Sequence, residues 1–425
     1  MDYDIWVTLA ILVFAIVMFI WEKIPLALTS MMIVIALILT GVLEPAQGFS
    51  GFVNGSVILF FSMFIVGGAL AETGAASQMG GFVTKFAKTE RQTIILLMIF
   101  AALLSGFVAN TAAAAIFIPI TLGIASKTGI SRSKLLMPMA FATSMGGGLT
   151  LVSTPPNLIV QGVLTESTYY AFNFFDFAII TIPRMILGIV YFAFIGYKLL
   201  PNKPNDQIEA GLEPQGKDYS DVPQWKRSAS VVILLLTTLG MMFENQIEIP
   251  NHVVSSMGAI AVVALGIITE KQAYKSVDMP TIFLFSGTLA LATALDITGT
   301  GALIANHVIG MLGNDPSPLI LLFTILVITG MLTQFMSNTA ATAVLAPIVL
   351  SIALQMGIDP RAALMAVATG STLSYASPIA TPPNTMIYGI GGYKFMDYVK
   401  NGVPIILLVI LVAFMILPLF FPFYP

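Results

Sequence analysis

Asn110-Thr111-Ala112 followed by Thr154-Pro155-Pro156-Asn157, and Asn338-Thr339-Ala340 followed by Thr381-Pro382-Pro383-Asn384, are one pattern written twice in a chain of 425 residues. Pro119 stands nine positions after Asn110 and Pro347 nine after Asn338, while the Asn-to-Thr intervals are 44 and 43. The copies are offset by 228 residues at Asn and 227 at Thr, which implies an internal duplication. Polar and helix-breaking residues repeated inside apolar sequence are costly where they face lipid, so the pattern predicts paired broken elements lining a cavity.

The rest of the chain supports a membrane setting. It is 57% hydrophobic and 9% charged, with a mean hydropathy of +0.94, which excludes an ordinary soluble protein. Apolar runs are expected near residues 5–21, 24–43, 56–71, 135–162 and 177–200, and near 229–243, 252–269, 279–297, 361–390 and 402–424. That makes five per half, with most runs about 17–25 residues long, enough to cross ~30 Å of hydrocarbon. The chain has no Cys, which removes disulfides, thiolate metal sites and thiol redox chemistry. A net charge of −3 carries no message about nucleic acid. The acidic start Met1-Asp2-Tyr3-Asp4 is unlike a cleavable signal, so the first helix is expected to be retained.

Two uncharged stretches, 92–126 between Arg91 and Lys127 and a longer one between Asp315 and Asp359, each carry the Asn-Thr pair near the middle. Each is too long for one span and reads as a hairpin. Two full crossings with Asn at the far surface would have the same parity. A hairpin returns to its own side, so five spans per half invert the second copy relative to the first. With the N-terminus outside, sixteen of the 18 Lys and Arg fall on cytoplasmic segments, and Arg184 and Arg361 on the other side. Both termini are then external. The fold expected is an all-α polytopic membrane protein of two inverted repeats, each with five spans, one re-entrant hairpin and one broken helix. Residues 1–200 form the first repeat, with the inward-opening hairpin 92–126 and the broken helix 135–162. Residues 201–227 form a cytoplasmic linker, and 228–425 the second repeat, with the outward-opening hairpin 317–357 and the broken helix 361–390. The stretches 74–89 and 299–313 are expected along the interface, with Glu72 and Asp296 at their starts.

Each Pro-Pro pair removes two backbone donors and pushes its predecessor out of the α region, so the helix must break there. A mid-membrane break frees carbonyls and a helix N-terminus, which a bound cation or anion satisfies. Asn110 and Thr111, with Ser337, Asn338 and Thr339, start the second arm of each hairpin and offer neutral donors and acceptors, and helix N-termini favour anions. No Lys or Arg is expected near either motif, so dipoles, amides and hydroxyls would hold a small anion while cations from solution balance it. The nearest carboxylates are expected to be Glu72 and Asp296, which disfavours a buried proton relay. His252 and His307 fall in external or interfacial segments, and no catalytic constellation can be built, so the chain reads as no enzyme.

On these residues the sequence resembles the divalent-anion:sodium symporter family, the dicarboxylate and sulfate carriers of the ion-transporter superfamily. Its signature is a Ser-Asn-Thr tripeptide at each hairpin tip and a Thr-Pro-Pro-Asn break in each half. The resemblance implies a homodimer in which scaffold helices carry a mobile transport domain, an elevator mechanism in the plasma membrane, and sodium as coupling ion with no other cofactor. It implies substrate contacts at Asn110, Thr111, Thr154, Pro155, Ser337, Asn338, Thr339, Thr381 and Pro382. It also implies one sodium site at Ser105, Asn110 and Ser153 and another at Thr333, Met336, Asn338 and Ala380. Succinate, malate, fumarate or 2-oxoglutarate is the kind of partner expected. Two departures stand out: Ala109 replaces the first Ser of the tripeptide, and Ser153 stands where Gly usually precedes Thr-Pro-Pro. Losing the hydroxyl at 109 bears on the first sodium site or on one substrate contact. A sodium-independent dicarboxylate exchanger, a sulfate or other inorganic-anion carrier, and an anion channel are the competing readings.

Overall fold

The computed structural model describes residues 2–21, 23–75, 87–165, 169–203, 219, 221–313 and 316–424, and the described chain is helical, without a strand. Its first half runs α1 (Asp2–Trp21), α2 (Leu26–Leu39), α3 (Gly55–Thr73), α4 (Glu90–Ser105), α5 (Asn110–Thr128), α6 (Arg132–Gly146), α7 (Pro155–Thr165) and α8 (Ala178–Tyr191). The second half repeats that order as α9 (Gln224–Met242), α10 (Asn251–Ala264), α11 (Met279–Ile297), α12 (Thr300–Met311), α13 (Pro318–Leu332), α14 (Asn338–Gln355), α15 (Pro360–Ser371), α16 (Pro382–Ile390) and α17 (Phe395–Phe420). Helix α12 covers most of the expected interfacial stretch 299–313. Its counterpart 74–89 lies mostly outside the described residues, as does most of the expected linker 201–227.

Seven helices, by length and composition, suffice to cross a membrane among the described residues. The protein is an integral, multi-pass membrane protein. Its outward faces are apolar: on α8, Ile182, Ile186 and Val190 are exposed at helical spacing while Thr181 and Arg184 are buried. On α17 the exposed row is Leu407, Leu411 and Met415.

Two expected straight spans are shortened. The runs 24–43 and 252–269 form helices of 14 residues each, α2 and α10, about 21 Å long against ~30 Å of hydrocarbon. Gly41 and Gly266, with φ of 77° and 67°, turn the chain just past them, a conformation that costs glycine least. Short helices then begin at Pro45 and Glu270 and lead into α3 and α11.

The halves exchange packing partners. α3 lies against α9 and α10 of the second half, and α11 lies against α1 and α2 of the first. In the remaining body α7 packs on α14 and α15, α16 packs on α5 and α6, and α8 packs on α17. These reciprocal contacts bring both hairpins and both broken helices into one cluster. Backbones approach closely where the first hairpin meets the first broken helix: a Cβ on Gly146 would lie 2.1 Å from the Ala102 carbonyl. A side chain also enters a helix ladder between the halves, because the Tyr393 hydroxyl accepts from the Met137 N–H at 2.9 Å and donates to the Ser133 carbonyl at 2.6 Å.

Candidate functional site

The site is assembled from helix ends. α4 closes at Ser105 and α5 opens at Asn110 after a four-residue turn, and α13 closes at Leu332 with α14 opening at Asn338. α6 stops at Gly146 and α7 resumes at Pro155, while α15 stops at Ser371 and α16 resumes at Pro382. Prolines in the first turn cost little, since those N–H groups would be unpaired in any case. Each resumed helix is anchored by its Asn. Asn157 Nδ2 donates to the Thr150 carbonyl at 2.9 Å, and Asn384 Nδ2 to the carbonyls of Ser374 and Ser377 at 2.8 and 3.0 Å.

A cavity of about 250 Å³ lies where these ends meet. Its lining brings together all nine expected substrate contacts: Asn110, Thr111, Thr154 and Pro155 from one half, and Ser337, Asn338, Thr339, Thr381 and Pro382 from the other. Ala109, Ser153 and Ala380 line it too, as do Phe60 and Phe64 from α3 and Asp278, Thr281 and Leu284 from α11 and its N-cap. The N-termini of α5, α7, α14 and α16 therefore point at one space. A helix N-terminus carries roughly +0.5 of an elementary charge; all four favour an anion, although α7 and α16, starting on Pro-Pro pairs, lack two N–H donors each and contribute less than α5 and α14. A second chamber of about 390 Å³ shares Phe60, Phe64, Ala109, Thr111 and Asp278 with the first and extends past Glu72 and Lys275.

Behind each hairpin tip sits a cluster of three oxygens. Ser105 Oγ lies 3.0 Å from Asn110 Oδ1 and 2.7 Å from the Thr143 carbonyl. Thr333 Oγ1 lies 2.8 Å from Asn338 Oδ1 and 2.6 Å from the Ser371 carbonyl. One hydroxyl proton cannot serve two acceptors at full strength, so each cluster has fewer donors than oxygens, a donor set suited to a hard monovalent cation. The carbonyls of Thr143 and Ser371, at the C-terminal ends of α6 and α15, were not among the expected ligands. Met336 is buried at its tip and does not line the cavity. Ser153 is engaged inside its break, where Oγ lies 2.5 Å from the Gly147 carbonyl and 2.8 Å from that of Thr150.

At residue 109 the two hairpin tips differ. Ser337 caps α14 by accepting from the Ala340 N–H at 3.2 Å, whereas Ala109 leaves α5 without a side-chain cap. The first oxygen cluster uses no side chain at 109.

Two charge expectations are corrected. Against the expectation of no basic residue near the motifs, Arg184 lies beside the first break, is 1% exposed and donates to the Met145 carbonyl at 2.6 Å and to Thr372 Oγ1 at 2.7 Å. Helical periodicity turns it inward, opposite the lipid-facing residues of α8. The carboxylate nearest the motifs is Asp278, not Glu72 or Asp296; it lines the cavity beside both Thr-Pro-Pro segments and accepts from Thr281 Oγ1 at 2.5 Å. It reaches the site through packing of the second-half helix α11. His252 lines a separate cavity with Glu244 and Arg361, and His307 is exposed. No group of three His, Asp or Glu among the described residues could hold a metal.

The family model described as citrate transporter matches residues 16–248 and 239–424. An uncharacterized transporter of Escherichia coli (strain K12), YfbS, is 24% identical over 99% of both chains. The sodium-dependent dicarboxylate transporter SdcS of Staphylococcus aureus (strain USA300) is 28% identical over 97% of this chain and 86% of its own. Among solved structures, the Alcanivorax borkumensis YdaH transporter superposes with a TM-score of 0.66 at 15% identity, covering 88% of this chain and 87% of that one. Neisseria gonorrhoeae MtrF, from a class of antimetabolite efflux pumps, gives 0.64 at 17% identity over 92% and 87%.

Proposed function

The chain belongs to the citrate transporter family, and from that premise we propose that it is a secondary transporter of small divalent anions, coupled to sodium and taking C4-dicarboxylates such as succinate, malate or fumarate. It is a transporter and not an enzyme. The observation that carries the reading is the meeting of four helix N-termini around one cavity that contains hydroxyls and amides but no basic side chain. Such a site favours an anion by dipoles and N–H groups. The two three-oxygen clusters directly behind it supply places for cations that balance the anion's charge.

The halves are inverted repeats in this reading, with both termini external, and the reciprocal packing of α3 and α11 supports it. The hairpins and broken helices form the transport domain, which moves as an elevator against a scaffold of α1–α3 and α9–α11, in a homodimer. The substrate contacts are the nine residues named above. Sodium is held by Ser105, Asn110 and the Thr143 carbonyl in one half, and by Thr333, Asn338 and the Ser371 carbonyl in the other. The name of the Staphylococcus aureus relative supports sodium and dicarboxylate together.

Radiolabelled succinate uptake into proteoliposomes, with and without an inward sodium gradient and with and without internal unlabelled dicarboxylate, tests the proposal. Accumulation that requires the sodium gradient is the expected result. Uptake requiring only internal dicarboxylate replaces symport by exchange, and no succinate flux under any condition overturns the substrate class.

A further inference from the structure

Arg184 is a buried cation without an anionic partner among the described residues. Two of its guanidinium nitrogens reach across the molecule, Nη2 to the Met145 carbonyl near the end of α6 and Nη1 to Thr372 Oγ1 at the cap of α15, while Nε has no hydrogen-bond partner. It lies so close to the first break that a Cβ on Gly148 would sit 2.5 Å from Nη2. The neighbouring Gly147 in turn faces Asn110, where a Cβ would lie 1.9 Å from Oδ1. The two helix ends that Arg184 joins are the ones whose carbonyls, Thr143 and Ser371, complete the two oxygen clusters.

A helix C-terminus carries about −0.5 of a charge, so a guanidinium between two of them offsets both. Burial of an unpaired Arg is costly unless its surroundings are this electronegative. We propose that Arg184 is a tethered counter-charge shared by the two breaks: it weakens cation binding at both oxygen clusters and makes the adjacent cavity select doubly over singly charged anions. It acts through the helix ends and is a positioning residue, since it does not line the cavity. This rests on the anion-and-sodium reading of the site.

A structural brace and a counter-charge differ in sign. Losing a brace loosens every ligand, whereas removing a positive charge tightens sodium and weakens a dianion. Each effect is on the order of tenfold for a unit charge ~10 Å away at an effective dielectric of ~20. The test is thermal stabilisation of the purified full-length protein by sodium chloride, and in sodium by succinate or butyrate, for the wild type, Arg184→Gln and Arg184→Lys. Arg184→Gln should lower the half-saturating sodium concentration about tenfold and raise that of succinate about tenfold relative to butyrate. Arg184→Lys should keep both near wild type with a lower baseline melting temperature. Arg184→Gln weakening both ligands, or changing neither, overturns the proposal. If Arg184→Gln does not fold, Arg184→Lys decides: a lysine that shifts the succinate-to-butyrate ratio refutes charge as the determinant. A wild type stabilised by neither sodium nor succinate refutes the proposed function and the counter-charge together, whereas a responsive wild type with unresponsive variants refutes the counter-charge alone.

Discussion

Gly147→Ala tests the joint between the first hairpin and the first break. Gly147 has φ −58° and ψ −8°, so alanine is conformationally allowed and the effect is steric. The new methyl would fall 1.9 Å from Asn110 Oδ1 and 2.5 Å from its Nδ2, well inside van der Waals contact. Either Asn110 rotates away, breaking its 3.0 Å contact with Ser105 Oγ, or the hairpin tip moves off the break. Overpacking of this kind costs about 1–3 kcal/mol. At about 1.4 kcal/mol per factor of ten, that becomes a loss of roughly 5- to 150-fold in sodium affinity at the first cluster. Gly123→Ala is the matched control, because a methyl there meets nothing within 4 Å. The assay is the sodium concentration dependence of succinate uptake. An unchanged half-saturation in Gly147→Ala, with uptake intact, would refute the assignment of Asn110 to a cation site.

Ala109→Ser supplies the cap that Ser337 gives the other hairpin, so it should raise stability by about 0.5–2 kcal/mol; because it takes an N–H away from the cavity, succinate affinity should fall, and thermal shift titrations read both. Thr333→Val and Ser105→Ala each remove the hydroxyl from a three-oxygen cluster and should each raise the half-saturating sodium concentration about tenfold, the double variant more, with circular dichroism checking the fold. Asp278→Asn removes a like charge from the cavity wall and should lower KM for succinate severalfold, most at low ionic strength, as flux measurements in two salt concentrations would show. The chain has no Cys, so cysteines placed at Tyr3 and Tyr424 should both react with a membrane-impermeant maleimide from outside intact cells, and labelling of one alone would contradict the inverted repeat.

Much of the site could be read in the sequence because proline and asparagine write their effects locally. Pro155 and Pro382 lack N–H groups, and the helices resume at those residues. Asn110 and Asn338 are the first residues of the second arms, and in α14 the preceding Ser337 caps the start. What escaped has a physical reason in each case. Thr143 and Ser371 act through carbonyls, which carry no side-chain signature. Arg184 is about 30 positions from the first break, and charge counting alone treats an Arg inside an apolar run as a span-end marker; only the lipid-facing row Ile182, Ile186 and Val190 turns it inward. Asp278 precedes α11 and meets the cavity because that helix packs across the halves. The shortening of α2 and α10 turns on Gly41 and Gly266, whose positive φ an apolar window average cannot register.

The central claim is that helix N-termini and cation-binding oxygen clusters hold a dianion together with sodium. Calorimetric titration of succinate into the purified protein, in sodium chloride and in choline chloride, for the wild type and Asn338→Ala, tests it most directly. The account predicts saturable binding in sodium, none in choline, and loss of binding in the folded Asn338→Ala variant. Equal binding with and without sodium, or an Asn338→Ala protein that binds succinate like the wild type, would contradict it.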